Sequence, residues 1–226
     1  MRNLVISAAA AALAAVGAAS ARADDLQAWP TLQATGEVNH SGLAVWAEGQ
    51  LRFNDDVGRV LFKVARLGVG KAWSDGHAVY GGWAWYQNDP LGRAETDEHR
   101  TWEQFGYPIL QRGRLQITGR MRLEQRHRED APDVAHRMRQ QLRAQYRLGG
   151  ADAPSLVAHS ELFTEFADTR WGVKARAYDQ ARTFGGVRLP LAKKASLETG
   201  YMAQTLNGEG RGGTNHIWFT TLGFAW

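Results

Sequence analysis

Apolar and polar residues alternate with a period of two along most of the chain. Beyond residue 23 no stretch carries an apolar stripe at i, i+3, i+4 and i+7. Leu43, Val45, Ala47, Gly49, Leu51 and Phe53 alternate with Ala44, Trp46, Glu48, Gln50 and Arg52. Leu115, Ile117, Gly119, Met121 and Leu123 alternate with Gln116, Thr118, Arg120, Arg122 and Glu124. The same pattern runs through Met138, Leu142, Ala144 and Tyr146, and again through Leu197, Thr199, Tyr201 and Ala203. A strand sends successive side chains to opposite faces, so each segment has one apolar face and one polar face. Turn residues separate the segments: Asn54 to Gly58, Ser74-Asp75-Gly76, Gly149 to Asp152 and the glycine-rich run from Asn207 to Asn215. The pattern predicts strands over 43–53, 59–72, 77–87, 98–109, 114–127, 134–148, 155–166, 175–189, 195–205 and 215–226. An eleventh strand-like piece spans 28–39.

The connections differ in length. Those near 88–97, 167–174 and 207–215 are long, and the one after Pro190 is short. Long loops at one end and tight turns at the other are the habit of membrane barrels. The expected fold is all-β: an up-and-down antiparallel transmembrane β-barrel of 10 strands, with 12 as the alternative. An odd total is not expected of a bacterial barrel. The 28–39 piece therefore either lies outside the closed sheet or pairs with a strand that the pattern hides.

Composition narrows this further. The 226 residues include no Cys, which excludes disulfides, thiolate metal sites and a Cys nucleophile. Hydrophobic residues at 44% and charged residues at 22% exclude a disordered chain. Arg2, the alanine-rich stretch Leu4 to Ala19 and the small-x-small triplet Ala21-Arg22-Ala23 form a secretory signal peptide over residues 1–23. Residues 24–226 are then one outer-membrane barrel domain, with no linker and no second domain. Without Arg2 and Arg22 the chain keeps 25 basic residues against 23 acidic ones, a net charge of only +2. The chain ends in a strand with Trp218, Thr220, Leu222, Phe224 and Trp226 on one face. Phe224 and the terminal Trp226 make the assembly signal expected of an outer-membrane barrel, read by the barrel-assembly machinery. Lipid is the other expected partner, and the cell outer membrane the expected location after export.

The charged faces carry the chemistry. Segments 114–127 and 134–148 form a predicted hairpin bearing Arg114, Arg120, Arg122, Arg126, Arg137, Arg139, Arg143 and Arg147, with Glu124 the acid among them. The next segment but one adds Arg182, flanked by Arg176 and Arg188. Charge facing lipid at the bilayer midplane costs roughly 2–4 kcal/mol per residue, so these arginines are expected to face the lumen. Arginine cannot neutralise itself by losing a proton. Its partners are either internal, from Glu48, Glu161, Glu165 and Glu198, or external anions bound by guanidinium forks. The internal answer is a closed structural barrel with a salt-bridged lumen. The external answer is a narrow anion-selective channel or binding barrel for small anionic solutes, with Arg52 and the residues above lining it.

Other chemistry is thin. Neither a nucleophile elbow nor a metal-spaced His pair is present, so no cofactor or metal is expected and an enzyme is the weaker reading. An outer-membrane lipid hydrolase stands as a second alternative. His159 and Glu161 share a strand face, but Ser160 points the other way. Arginines that alternate on sheet faces of an exported chain do not suggest nucleic acid.

Several short marks, taken in order, resemble a bacterial family catalogued as domain of unknown function 2490. They are Glu48-x-Gln50-x-Arg52, Glu98-x-Arg100-x-Trp102-x-Gln104, Arg120-x-Arg122-Leu123-Glu124-Gln125-Arg126, Glu161-x-Phe163, Asp179-Gln180-x-Arg182 and Glu198-x-Gly200-Tyr201. The resemblance implies an outer-membrane barrel and carries no catalytic role. A looser likeness to the small acidic-oligosaccharide porins rests on the arginine ladder and the chain's size.

Overall fold

The computed structural model describes residues 26–38, 41–54, 57–150, 152–207 and 213–226. The signal peptide expected over 1–23 lies outside them. Eleven strands among the described residues close into one barrel: β1 (Leu26–Glu37), β2 (Leu43–Asn54), β3 (Arg59–Ala72), β4 (Ala78–Asn88), β5 (Thr96–Arg112), β6 (Leu115–Arg128), β7 (Val134–Arg147), β8 (Ser155–Glu165), β9 (Arg176–Ala192), β10 (Ala195–Leu206) and β11 (Gly213–Ala225).

Each strand pairs with its chain neighbours in antiparallel fashion, and β1 closes the sheet by pairing parallel with β11. This corrects the expected count of 10 or 12. The 28–39 piece is β1 itself, and it belongs to the closed sheet. The odd number is possible because closure needs only free N–H and C=O groups along both edges, and a parallel ladder supplies them. The register runs from Leu26 opposite His216 to Thr35 opposite Ala225. The final residue reinforces this seam. Trp226 donates its N–H to the Thr35 carbonyl at 3.2 Å, and its indole lies over Gly36, where a Cβ would stand 2.4 Å from the ring.

The period-two pattern sorts side chains as expected. Leu32, Leu51, Leu67, Val69, Leu123, Leu142, Leu156, Leu162 and Trp218 form an exposed apolar outer surface. The core is the lumen. Trp29, Val157, Phe184, Met202 and Ile217 pack as one apolar cluster there, and Val64, Ala84, Tyr86 and Trp102 as another. The two ends differ. The connections 89–95, 129–133 and 166–175 lie at one end, here the loop end, together with the β2–β3 and β10–β11 connections. The two-residue turns 113–114 and 193–194 lie at the opposite, turn end, with 73–77, the ends of β1 and β7 and the end of β11.

Candidate functional site

The inward faces of β2, β3 and β5 to β10 build a ladder of alternating charge. Arg120 on β6 donates to Glu161 on β8 at 2.6 Å. Glu161 also takes Arg139 on β7, at 3.0 and 2.8 Å. Arg139 reaches on to Glu124 at 2.8 Å, and Glu124 accepts Arg100 at 3.0 Å with its other oxygen. Arg100 and Arg126 meet on Glu98 Oε1, each at 2.6 Å. Arg126 donates to Glu165 at 3.0 Å, and Glu165 holds Arg137 at 2.5 Å. The chain of pairs thus crosses from β6 to β8 and climbs toward the loop end. Separate pairs flank it: Arg66 with Glu48, and Arg143 with Glu198 across the lumen from β7 to β10. Aromatic rings pack the gaps. The Arg100 guanidinium lies 3.6 Å from the Tyr86 ring centre, and Arg122 lies 4.5 Å from that of Trp102.

The expected site residues divide by position. Arg120, Arg122, Glu124, Arg126, Arg137, Arg139, Arg143, Arg147, Arg182, Glu48, Arg52, Glu161 and Glu198 all fall on inward strand positions. Arg114 does not belong with them. β6 starts one residue later, so Arg114 sits in the exposed turn and donates to the Leu148 carbonyl at 3.2 Å. Phe224 and Trp226 lie at the turn end of β11, half exposed on the outer surface. Glu165, one of the expected internal partners, joins the ladder, which also recruits Arg66, Glu98, Arg100 and Tyr86. The alternation within 59–72, 77–87 and 98–109 marks these positions as polar-face, but nothing in it names their partners.

The turn-end half of the lumen is hollow. A cavity of about 750 Å³ is lined by eleven arginines and lysines against four carboxylates. Arg147, Arg188, Lys193 and Lys194 stand at its mouth, and Trp29, Arg52, Arg122 and Arg182 stand deeper. None of Glu98, Arg100, Trp102, Arg126 or Glu165 lines it. Those residues fill the loop-end half instead. The loop 166–175 folds over that end: the Trp171 indole lies 5.0 Å from the Arg126 guanidinium and donates to the Asp133 carbonyl at 3.1 Å. Arg170 clamps the Asp133 carboxylate with its backbone N–H at 2.8 Å and its guanidinium at 2.9 Å. These bonds hold Asp133 below the usual carboxylate range.

Residues 26–215 match the model of a family described as Protein of unknown function (DUF2490). The chain belongs to DUF2490. An uncharacterised protein of Methylorubrum extorquens is 30% identical over 192 residues, spanning 83% of this chain and 82% of that protein. Among solved structures, this DUF2490 barrel is similar to OmpT, an outer-membrane protein of Vibrio cholerae, and to its loop L8 deletion mutant. The mutant shares 17% identity at a TM-score of 0.45, over 79% of this chain and 58% of that one. OmpT itself shares 15% at 0.40, over 72% of this chain and 54% of that one. The DUF2490 chain thus spans little more than half of either.

Other candidate chemistry of the DUF2490 barrel does not converge. His159 faces the lumen and stacks on Phe184 at 4.8 Å, while Ser160 faces outward beside Thr183 at 3.3 Å. No group of three or more His, Asp or Glu among the described residues is placed to hold a metal ion.

Proposed function

We propose that this protein is an outer-membrane barrel whose lumen is a blind anion-binding vestibule. It admits small anionic solutes at the turn end and does not conduct across the membrane. The observation that carries this is the cavity. Eleven cationic side chains against four carboxylates line it, and the salt-bridged ladder fills the lumen beyond. Surplus positive charge in a confined, low-dielectric cleft concentrates anions. A barrel of this size has little interior to spare, and here half of it is occupied by side chains. The membrane setting is supported by the apolar outer surface, the expected signal peptide and the strand-end aromatics. Phe224 and Trp226 are the residues offered to the assembly machinery. Short turns face the periplasm in barrels of this kind, which puts the vestibule mouth on that side.

A through-channel is the competing reading, and planar bilayers separate the two. The mature chain, refolded in detergent and inserted, is expected to give no sustained open steps in a salt gradient. Steady anion-selective current, weakened in the double variant Arg122→Ala, Arg139→Ala, would overturn the blind vestibule and make the ladder a selectivity filter.

A further inference from the structure

The deep part of the vestibule holds three guanidiniums that no carboxylate among the described residues meets at hydrogen-bond distance. Arg52 donates from Nε to Gln50 at 2.7 Å and forms no ion pair with a described residue. Arg122 spends two N–H groups on Gln104, at 3.0 and 2.7 Å. Its nearest carboxylate oxygen, on Glu124, is 3.9 Å away and already bound to Arg139. Arg182 has neither a hydrogen bond nor an ion pair from its side chain to a described residue, and its Nε is buried without a partner. All three are at least nine-tenths buried and line the cavity. Their flat faces are used: Arg52 and Arg182 lie 4.2 and 4.9 Å from the Trp29 ring centre, and so no more than about 9 Å from each other. Stacking satisfies the plane of a guanidinium but leaves its N–H edge to be met by an acceptor.

The ladder cannot meet that need. Glu48, Glu124 and Glu161, the carboxylates nearest these strands, are each engaged by other arginines. A buried charge that can neither lose its proton nor find a counter-charge is costly, so the counter-charge must enter from outside. From this the geometry points to a site for a tetrahedral oxyanion, of phosphate or sulfate type, on the vestibule floor between Arg52 and Arg182, with Arg122 beside it. A tetrahedral group offers oxygens in several directions and carries up to two charges. A single carboxylate presents one fork to one guanidinium and leaves the others unmet. Arg147, Arg188, Lys193 and Lys194 at the mouth draw the anion in. The site rests on the vestibule reading above and gives its ligand a chemistry.

Thermal unfolding of the refolded full barrel, at constant ionic strength, tests it. A ligand that binds only the folded state raises Tm with a saturating dependence on concentration. Inorganic phosphate and sulfate are expected to do so, and acetate is not. Arg182→Met and Arg52→Met keep an apolar stem on Trp29 and remove the charge. Each is expected to weaken phosphate binding at least tenfold and, without oxyanion, to unfold no earlier than wild type. If one of the pair fails to fold, the other decides. A sugar monophosphate that shifts Tm more than phosphate assigns the site to a phosphorylated solute, and equal shifts assign it to the free ion. Undiminished shifts in both Met variants, lost instead in Arg188→Gln with Lys193→Gln, would place the anion at the mouth. That result overturns the floor site and leaves the vestibule standing. No saturable shift in wild type with any of these anions overturns both.

Discussion

At the scale of single residues, Glu124 organises the lumen. Its side chain is 2% exposed, and its two oxygens hold Arg139 and Arg100 from the neighbouring strands on either side. Ionised partners strengthen each hydrogen bond, but desolvation of the charges offsets most of the gain. What the pairing secures is that neither Arg100 nor Arg139 is left without a counter-charge. Removing one member of such a network costs more than the pair contributes, on the order of 3–5 kcal/mol. Glu124→Gln keeps the shape and deletes the charge. It is expected to destabilise the detergent-folded barrel by that order, read as a lowered denaturant midpoint, whereas Gln140→Ala on the exposed outer face of β7 leaves the midpoint unchanged. Glu124 stands out in the sequence as the single acid within a run of arginines. Its second partner, Arg100, belongs to a different strand, and no spacing rule connects the two.

At the scale of the strand, glycines make room for the rings that fill the lumen. Gly68 on β3 and Gly82 on β4 face one another, and the Trp102 indole from β5 lies across both. A Cβ at Gly82 would stand 2.4 Å from that ring and 2.1 Å from the Leu67 carbonyl oxygen. Backbone cannot retreat from such a contact cheaply, and overpacking in filled cores costs about 1–3 kcal/mol. Gly82→Ala is therefore expected to destabilise the barrel and to displace Trp102 from the T-shaped contact with Trp46 at 5.5 Å, a change that near-ultraviolet dichroism reads directly. Gly49, by contrast, has open space where its Cβ would be, and Gly49→Ala is expected to leave both signals unchanged. Period-two alternation gives both glycines a face, but it gives no indication that one lies under a tryptophan.

At the scale of the molecule, the decisive feature is closure through an odd strand. Neighbouring strands lie about 4.8 Å apart, so direct β1–β11 pairing brings Leu32 and Leu222 into disulfide reach, and a twelfth strand between them would hold them about 10 Å apart. The chain has no Cys of its own, which makes the test clean. The double variant Leu32→Cys, Leu222→Cys is expected to form an intramolecular disulfide in the folded barrel, seen as a monomer of altered mobility under non-reducing conditions. Its absence in a folded sample would restore an even-stranded closure.

The sequence by itself determined the class of fold, the position of nearly every strand and the face each side chain takes. These follow from local rules: alternation assigns faces, and turn residues end strands. The inward turn of Arg120, Arg122, Arg139 and Arg182 was legible for that reason. Arg114 was misplaced by one residue of strand boundary, the least reliable quantity in such a pattern. Strand number was not legible, because an alternating segment looks the same whether its neighbour runs parallel or antiparallel. Only the tertiary structure decided which guanidinium meets which carboxylate, since Arg143 and Glu198 lie 55 residues apart and become partners through curvature of the closed sheet. It alone also decided that the lumen is filled at one end and hollow at the other. That outcome depends on how side chains from eight or more strands share one volume, a quantity that no window along the chain contains.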